Sequence, residues 1–282
     1  MADALTGVTE IDAASLAEIS NVTQMYLQQA SILVPTVSDF SYLAGKGTKS
    51  IAVPRMGGFT VNDKEENTSV SAQTSTVSSD TITLEKHKVI QFLVEEIAEG
   101  QSKIPYVVGA LERAAKDLAA QVDTDIITEL KLASASTPDH QIVFIDTTND
   151  VIAKGDILAA RKLLRAQYVP VNECYIGIGS EKEAEMLALS DFIVASNFGS
   201  ADPIQNGVLG KVYGMKVVVH EGFSDFMCVW HPSAVGIAFQ RQATVQTQPD
   251  LANLAERWSI DQRYGVEVLD SGKRTVLVDS TN

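Results

Sequence analysis

The chain has 282 residues, 45% of them hydrophobic and 21% charged, the composition of an ordinary folded globular protein. Its 36 carboxylates against 22 lysines and arginines leave a formal charge of −14, which argues against gripping nucleic acid through a basic face. No apolar stretch approaches the roughly 18–20 residues of a membrane-spanning helix, and none near the N terminus has the form of a signal peptide. Length alone allows one or two domains. Cys174 and Cys228 stand in apolar surroundings and read as buried free thiols of a reducing cytoplasm rather than as a disulfide.

Met1–Gly7 is small and polar. Ser15-Leu16-Ala17-Glu18 then forms a capping-box pattern, and Leu16, Ile19, Val22, Met25, Tyr26 and Ala30 follow at helical spacing, so a helix is expected to about Gln29. From Ser50 the period changes. Ile51 and Val53 alternate with smaller or polar residues, and Pro54 demotes this strand to an edge. Asn62–Thr76 holds almost no large apolar residue; Val70 stands nearly alone amid Lys64-Glu65-Glu66 and many Ser, Thr and Gln. Alternation resumes at Thr81–Glu85, and Val89–Val94 is a solid apolar strand. The whole reads as a long hairpin whose distal half is polar on both faces. Taken alone, 62–76 has the composition of a disordered loop. The β-prone flanks argue instead for an extended arm held by a partner, because two strands without an apolar face are marginal in water.

Pro105 suits the first turn of a helix. Leu111, Ala115, Leu118, Val122, Ile126 and Leu130 form one stripe, and Glu112, Arg113, Lys116, Asp117, Gln121, Asp125 and Glu129 lie opposite, which predicts a helix to Ala133, about 40 Å long. Gln141–Ile145 is a strand, Gly155–Leu164 an amphipathic helix closed by Pro170, and Cys174–Ile178 a second apolar strand. Ser180-Glu181-Lys182-Glu183 is a further capping box. Asn206-Gly207 marks a turn, and Lys216–Val219 a short apolar strand. The remainder is β: Phe226–Trp230, Val235–Phe239, Thr244–Gln248, Trp258–Ile260, Tyr264–Leu269 and Arg274–Val278. With no internal repeat and no flexible linker, the units are expected to interleave.

Catalytic and metal signatures fail one by one. His87, His140, His220 and His231 are scattered, without zinc-site spacing. Asp146–Asp150 lacks the Gly and terminal Glu of a calcium loop and reads as a solvated turn. Gly45-Lys46-Gly47 and Gly210-Lys211-Val212 lack the Ser or Thr of a phosphate loop, and no Gly-x-Ser-x-Gly elbow or activated Cys is present. Carboxylate pairs such as Glu95-Glu96 are common in any acidic protein. No catalytic residue, cofactor or metal is expected.

The order of parts resembles the major capsid proteins of tailed bacteriophages, the Hong Kong phage capsid fold. Three stretches carry the likeness: Thr81-Ile82-Thr83-Leu84-Glu85-Lys86-His87-Lys88 through Phe92 to Gln101-Ser102; Asn206-Gly207-Val208-Leu209-Gly210-Lys211-Val212-Tyr213-Gly214-Met215-Lys216-Val217-Val218; and Arg263-Tyr264-Gly265-Val266-Glu267-Val268-Leu269. The resemblance implies an α+β fold made of an N-terminal arm (1–44), an extended loop (45–100), a peripheral domain with a spine helix (101–150), an axial domain (151–225) and terminal peripheral strands (226–282). It further implies hexamers and pentamers forming an icosahedral shell around double-stranded DNA, assembled in the bacterial host cytoplasm. Met1 lies close to the capsid part, so a separate scaffolding protein, or none, is expected beside a portal, with a decoration protein as a further candidate. Lys64, Glu65 and Glu66 at the arm tip are the candidate inter-subunit contacts; Lys64 is a conceivable crosslink donor without an identifiable acceptor. The rival readings are an encapsulin-type compartment shell of the same fold and an α/β enzyme with a dispersed site.

Overall fold

The protein is described by a computed structural model over residues 5–6, 31–67, 69–95, 106–135, 140–146, 150–189 and 210–280. The helix expected over 15–29, Gln101-Ser102, Pro105 and the Asn206-Gly207 turn lie outside the described residues. Two short strands, β1 (Leu5–Thr6) and β2 (Ser38–Asp39), precede the arm. The arm is the antiparallel pair β3 (Ser50–Met56) and β4 (Val77–Thr83), registered from Ser50↔Thr83 to Met56↔Val77. Pro54 is tolerated because the pair has no third strand. After Leu84-Glu85 the chain enters β5 (Lys86–Glu95), longer than the apolar run alone predicts.

Helix α1 spans Tyr106–Ala135, about 45 Å, and matches the expected spine. Leu118, Val122, Ile126 and Leu130 are buried as the spacing requires, whereas Ala114, not Ala115, occupies the buried stripe above them. Two carboxylates, Asp123 and Asp125, are buried on the same helix. Both have partners. Ser31 Oγ (2.7 Å), Ile32 N (2.9 Å) and Leu33 N (3.2 Å) donate to Asp123, and Tyr264 Oη donates to Asp125 at 2.6 Å.

The middle of the chain gives β6 (Gln141–Val143), α2 (Lys154–Ala166), β7 (Tyr175–Ile178), α3 (Ser180–Ala188), β8 (Lys211–Val212) and β9 (Met215–Val219). At α3 the capping-box expectation is corrected: Gly179 is the cap, and Ser180 is already helical. Lys182 turns inward instead, with its Nζ 3.1 Å from Glu185 and over the Phe144 ring. At the start of α2, Asp156 accepts from Ala153 N (2.8 Å) and Ile145 N (3.0 Å). Burial raises its carboxyl pKa, and these two bonds oppose the shift.

The terminal strands are β10 (Met227–Trp230), β11 (Val235–Asp250), β12 (Ala255–Val268) and β13 (Thr275–Asp279). The separate strands expected at 235–239 and 244–248 are one strand, because irregularities on either side of Arg241 let pairing continue through the break in alternation. Trp258–Ile260 and Tyr264–Leu269 likewise merge into β12. One sheet runs β1-β5-β12-β11-β2 and the other β6-β13-β10-β7-β9-β8. The segment 226–282 is therefore divided: β11 and β12 lie in the first sheet, while β10 and β13 pair with the strands of the α/β block.

α1 joins the two sheets. Ala114 and Leu118 pack on Ile90 and Ile260 of the five-stranded sheet. Ile126 and Leu130 sit in a shared core with Tyr264 and Ile237 of that sheet and Cys228, Trp230 and Leu277 of the other. Helices α2 and α3 share a separate core on the six-stranded sheet, with Ile157, Leu164 and Met186 against Ile176, Val229 and Val276. Each fully buried aliphatic side chain contributes about 1.5–3 kcal/mol.

Candidate assembly surface

The arm is firmly rooted and distally bare. At its root Ile51, Ile82 and Leu84 are buried against Ala238 and Leu269. Glycines make this approach possible: a Cβ on Gly265 would overlap the Thr83 carbonyl, and one on Gly236 would lie 2.7 Å from Ile82 Cδ1. Leu84 N donates to Lys49 O at 2.9 Å, closing the pair on the body side.

A charged cluster fixes the root from the side. The Arg55 guanidinium pairs with Asp270 and lies 3.7 Å from Asp80, whose carboxylate accepts from Asp270 N at 2.9 Å. Arg274 Nε completes the cluster 3.1 Å from Asp270. Asp270, Ser271 and Gly272 are all left-handed, with φ of 54°, 52° and 75°. Non-glycine residues resist this conformation by about 1–2 kcal/mol each, and the ion pairs around Asp270 offset that cost.

Beyond Met56↔Val77 the two chains part. Gly57 N donates to Thr76 O at 2.7 Å, and the Gln73 amide bridges to Thr60, accepting from its N–H at 2.8 Å and donating to its carbonyl at 2.7 Å. Further out no strand forms among the described residues, and each of these from Gly58 to Thr74 is exposed. Lys64, Glu65 and Glu66 lie at this tip and make no hydrogen bond or ion pair among the described residues.

Sequence reasoning missed the apolar content of the arm. Met56, Phe59, Val61, Val70 and Val77 are all exposed, Val61 at 94%. The signal was present in the chain, but Phe59 and Val61 fall just before the polar window and Val77 just after it. In the folded subunit they join one projection.

The histidines have separate partners. His87 Nε2 is 3.2 Å from Asp261, His140 Nδ1 2.9 Å from Thr275 O, and His231 lies between Ser233 (2.8 Å) and Glu173 (3.3 Å). His220 Nδ1 accepts from Gly222 N at 3.0 Å. No group of three or more His, Cys, Asp or Glu able to hold a metal occurs among the described residues. Asp150 N donates to Asp146 O at 2.9 Å. Both cysteines are free and buried; burial, with Glu173 adding repulsion, pushes the Cys174 thiol up to about 12, and burial raises Cys228 as well. No helix among the described residues is long and apolar enough to cross a membrane. An apolar groove of about 290 Å³ lies between α1 and Phe226. Its one ammonium, Lys131, lies over the Phe226 ring and 3.8 Å from Asp279.

Solved structures share this architecture. A chain of Mycobacterium phage Che8 superposes with a TM-score of 0.72 at 22% identity, over 90% of this chain and 92% of that one. The capsid structure of cyanophage P-SCSP1u gives 0.72 at 14% identity, over 86% and 85%. The mature capsid of bacteriophage PhiM1 gives 0.70 at 13% identity, over 89% and 87%. None of the curated proteins is significantly similar to the sequence. At such identities the likeness establishes the fold alone, the α+β Hong Kong phage capsid fold. The sequence pattern described as phage capsid protein matches residues 78–274, well over half the chain. The chain belongs to the phage capsid protein family, as a major capsid shell subunit.

Proposed function

We propose that this subunit assembles, without enzymatic activity, into pentamers and hexamers of an icosahedral head around double-stranded DNA. The arm lies over a neighbouring copy. The observation carrying this reading is an arm rooted by buried Ile51, Ile82 and Leu84 yet exposing Met56, Phe59 and Val61. An apolar projection of this kind is stabilised by a partner surface, and a heterologous contact repeated around an axis closes into rings. Lys64, Glu65 and Glu66 would make polar contacts at the tip. The five-stranded sheet with α1 would be the peripheral domain, and the six-stranded sheet with α2 and α3 the axial domain. A scaffolding protein, a portal and a decoration protein are the other partners of this reading, with assembly in the host cytoplasm and the virion as destination. Family membership favours a phage head over an encapsulin-type compartment.

Negative-stain microscopy of the purified chain tests the proposal. Closed particles tens of nanometres across are expected. A stable monomer at high concentration would refute it.

A further inference from the structure

Helix α2 presents a one-sided charge to solvent. Asp156, Ile157, Ala160 and Leu164 are its buried side, so the 3.6-residue period turns Lys154, Leu158, Arg161, Lys162 and Arg165 the other way. Leu158, Lys162 and Arg165 are exposed, and Arg161 is half-buried. The helix's single carboxylate, Asp156, turns inward to accept from Ala153 N and Ile145 N. Four cations and no carboxylate therefore share one face, on a chain of net charge −14. Arg161, Lys162 and Arg165 make no ion pair or side-chain hydrogen bond among the described residues, and Arg161 Nε is a buried donor without a partner there. Arg161 and Arg165 stand four apart, and Lys162 and Arg165 three apart, spacings at which like charges repel along a helix. The helix dipole favours Arg165 in the last turn but fades beyond it, leaving Arg161 and Lys162 uncompensated.

The end of the helix adds a second, independent observation. Tyr168 N donates to Arg165 O at 3.0 Å and Val169 N to Leu164 O at 3.1 Å, the two bonds of a Schellman ending. That ending places Tyr168 in the left-handed region, at φ 59°. Glycine is the residue such a position favours, and a bulky one there is an outlier. Neither burial nor bonding compensates: Tyr168 is 96% exposed, and its side chain has no partner among the described residues. An aromatic kept on the surface against backbone preference points to function.

We infer that the outer face of α2, ending at Tyr168, is a docking site for an acidic peptide segment of a partner protein. Arg161, Lys162 and Arg165 take its carboxylates, while Leu158 and Tyr168 meet its apolar side chains. Arg and Tyr are the residues enriched at the centres of protein interfaces, and complementary charge decides which segment docks. Duplex DNA fits this face less well. From Lys154 to Arg165 the face spans only about 16 Å, and a chain of net −14 repels a long polyanion elsewhere. The partner is a different chain, so the inference goes beyond the shell reading and does not rest on it.

Fluorescence anisotropy with the full-length chain tests it. The probe is a labelled peptide of Glu-Glu-Leu repeats, and the control is the matching peptide of Gln-Gln-Leu repeats. At low salt the acidic peptide should bind saturably, and the control on the order of tenfold more weakly. Raising the salt to about 0.2 M should weaken the acidic peptide by roughly fivefold. The double variant Lys162→Gln/Arg165→Gln alters exposed side chains and should lower the affinity on the order of tenfold without lowering the thermal midpoint. Tyr168→Gly should raise the midpoint by roughly 3 °C yet weaken the peptide about fivefold, a combination that a merely structural tyrosine would not give. Equal binding of the two peptides, no binding of either, or variants that bind the acidic peptide like wild type overturns the inference. A DNA duplex of about 20 base pairs that binds more tightly than the peptide also overturns it, and assigns the face to phosphates. So does a loss of self-association in Lys162→Gln/Arg165→Gln, seen by sedimentation velocity without peptide, which places the face between copies of the chain. None of these outcomes bears on whether wild-type chains close into particles, which microscopy decides separately.

Discussion

Asp123 is a carboxylate buried in the middle of a helix, and it is the anchor of the chain entering from the N-terminal side. It accepts two backbone N–H groups and the Ser31 hydroxyl, so its removal orphans several donors at once. Asp123→Ala is expected to lower stability by about 3 kcal/mol, measured by urea denaturation, without unwinding α1. Sequence reading passed over Asp123 because a single carboxylate on a long helix is normally solvated. Only the crossing of residues 31–33 over the helix gives it a buried role. Glu267 is the opposite case, a carboxylate held in an unfavourable place. Burial raises its pKa first, Glu129 and Glu85 add repulsion, and Lys86 opposes the shift. In the window between its unfolded and its raised folded pKa, the native state binds more protons than the unfolded chain, so this group's contribution to stability falls as pH rises. Glu267→Gln should be more stable than wild type at neutral pH, with a weaker loss of stability from acid towards neutral pH. Thermal midpoints of both chains across that range give the comparison.

On the proposed reading the arm is the element on which function turns, and it was the most legible element in the sequence. Its polar window, its flanking alternation and Pro54 all follow from residue type and period. Two aspects were not. Its root depends on Gly236 and Gly265, far along the chain, and on a clamp from Asp270, none of which local pattern ties to the arm. Its exposed apolar side chains gain meaning only once the fold leaves them uncovered. Residues 62–76 bury almost nothing, so replacing them with a short glycine turn should change subunit stability by less than about 1 kcal/mol. The same deletion should abolish shells. Normal shells from the shortened chain would show that the arm is dispensable. The β11 strand teaches a related lesson: the break in alternation near Arg241 suggested two strands, but pairing with β12 bridges it by local irregularity.

At the scale of the molecule, the two sheets are threaded through each other. β10 and β13 belong to one sheet, while β11 and β12, which lie between them in sequence, belong to the other. Trp230 lies in the first and Trp258 in the second, so the two tryptophans sample both units. With α1 packed into a core shared by both sheets, unfolding should be cooperative. Tryptophan fluorescence and far-ultraviolet circular dichroism are expected to give coincident urea transitions, whereas two separated transitions would mean that the sheets unfold independently. The sequence by itself determined the spine helix, the edge character of the arm, the apolar strands and the acidic, thiol-reduced character of the protein. These depend on period, composition and local propensity, which are written residue by residue. Sheet order, the division of the terminal strands and the anchor at Asp123 were decided only by tertiary structure. Each depends on which distant segments meet, and pairing across long separations leaves no local pattern in the chain.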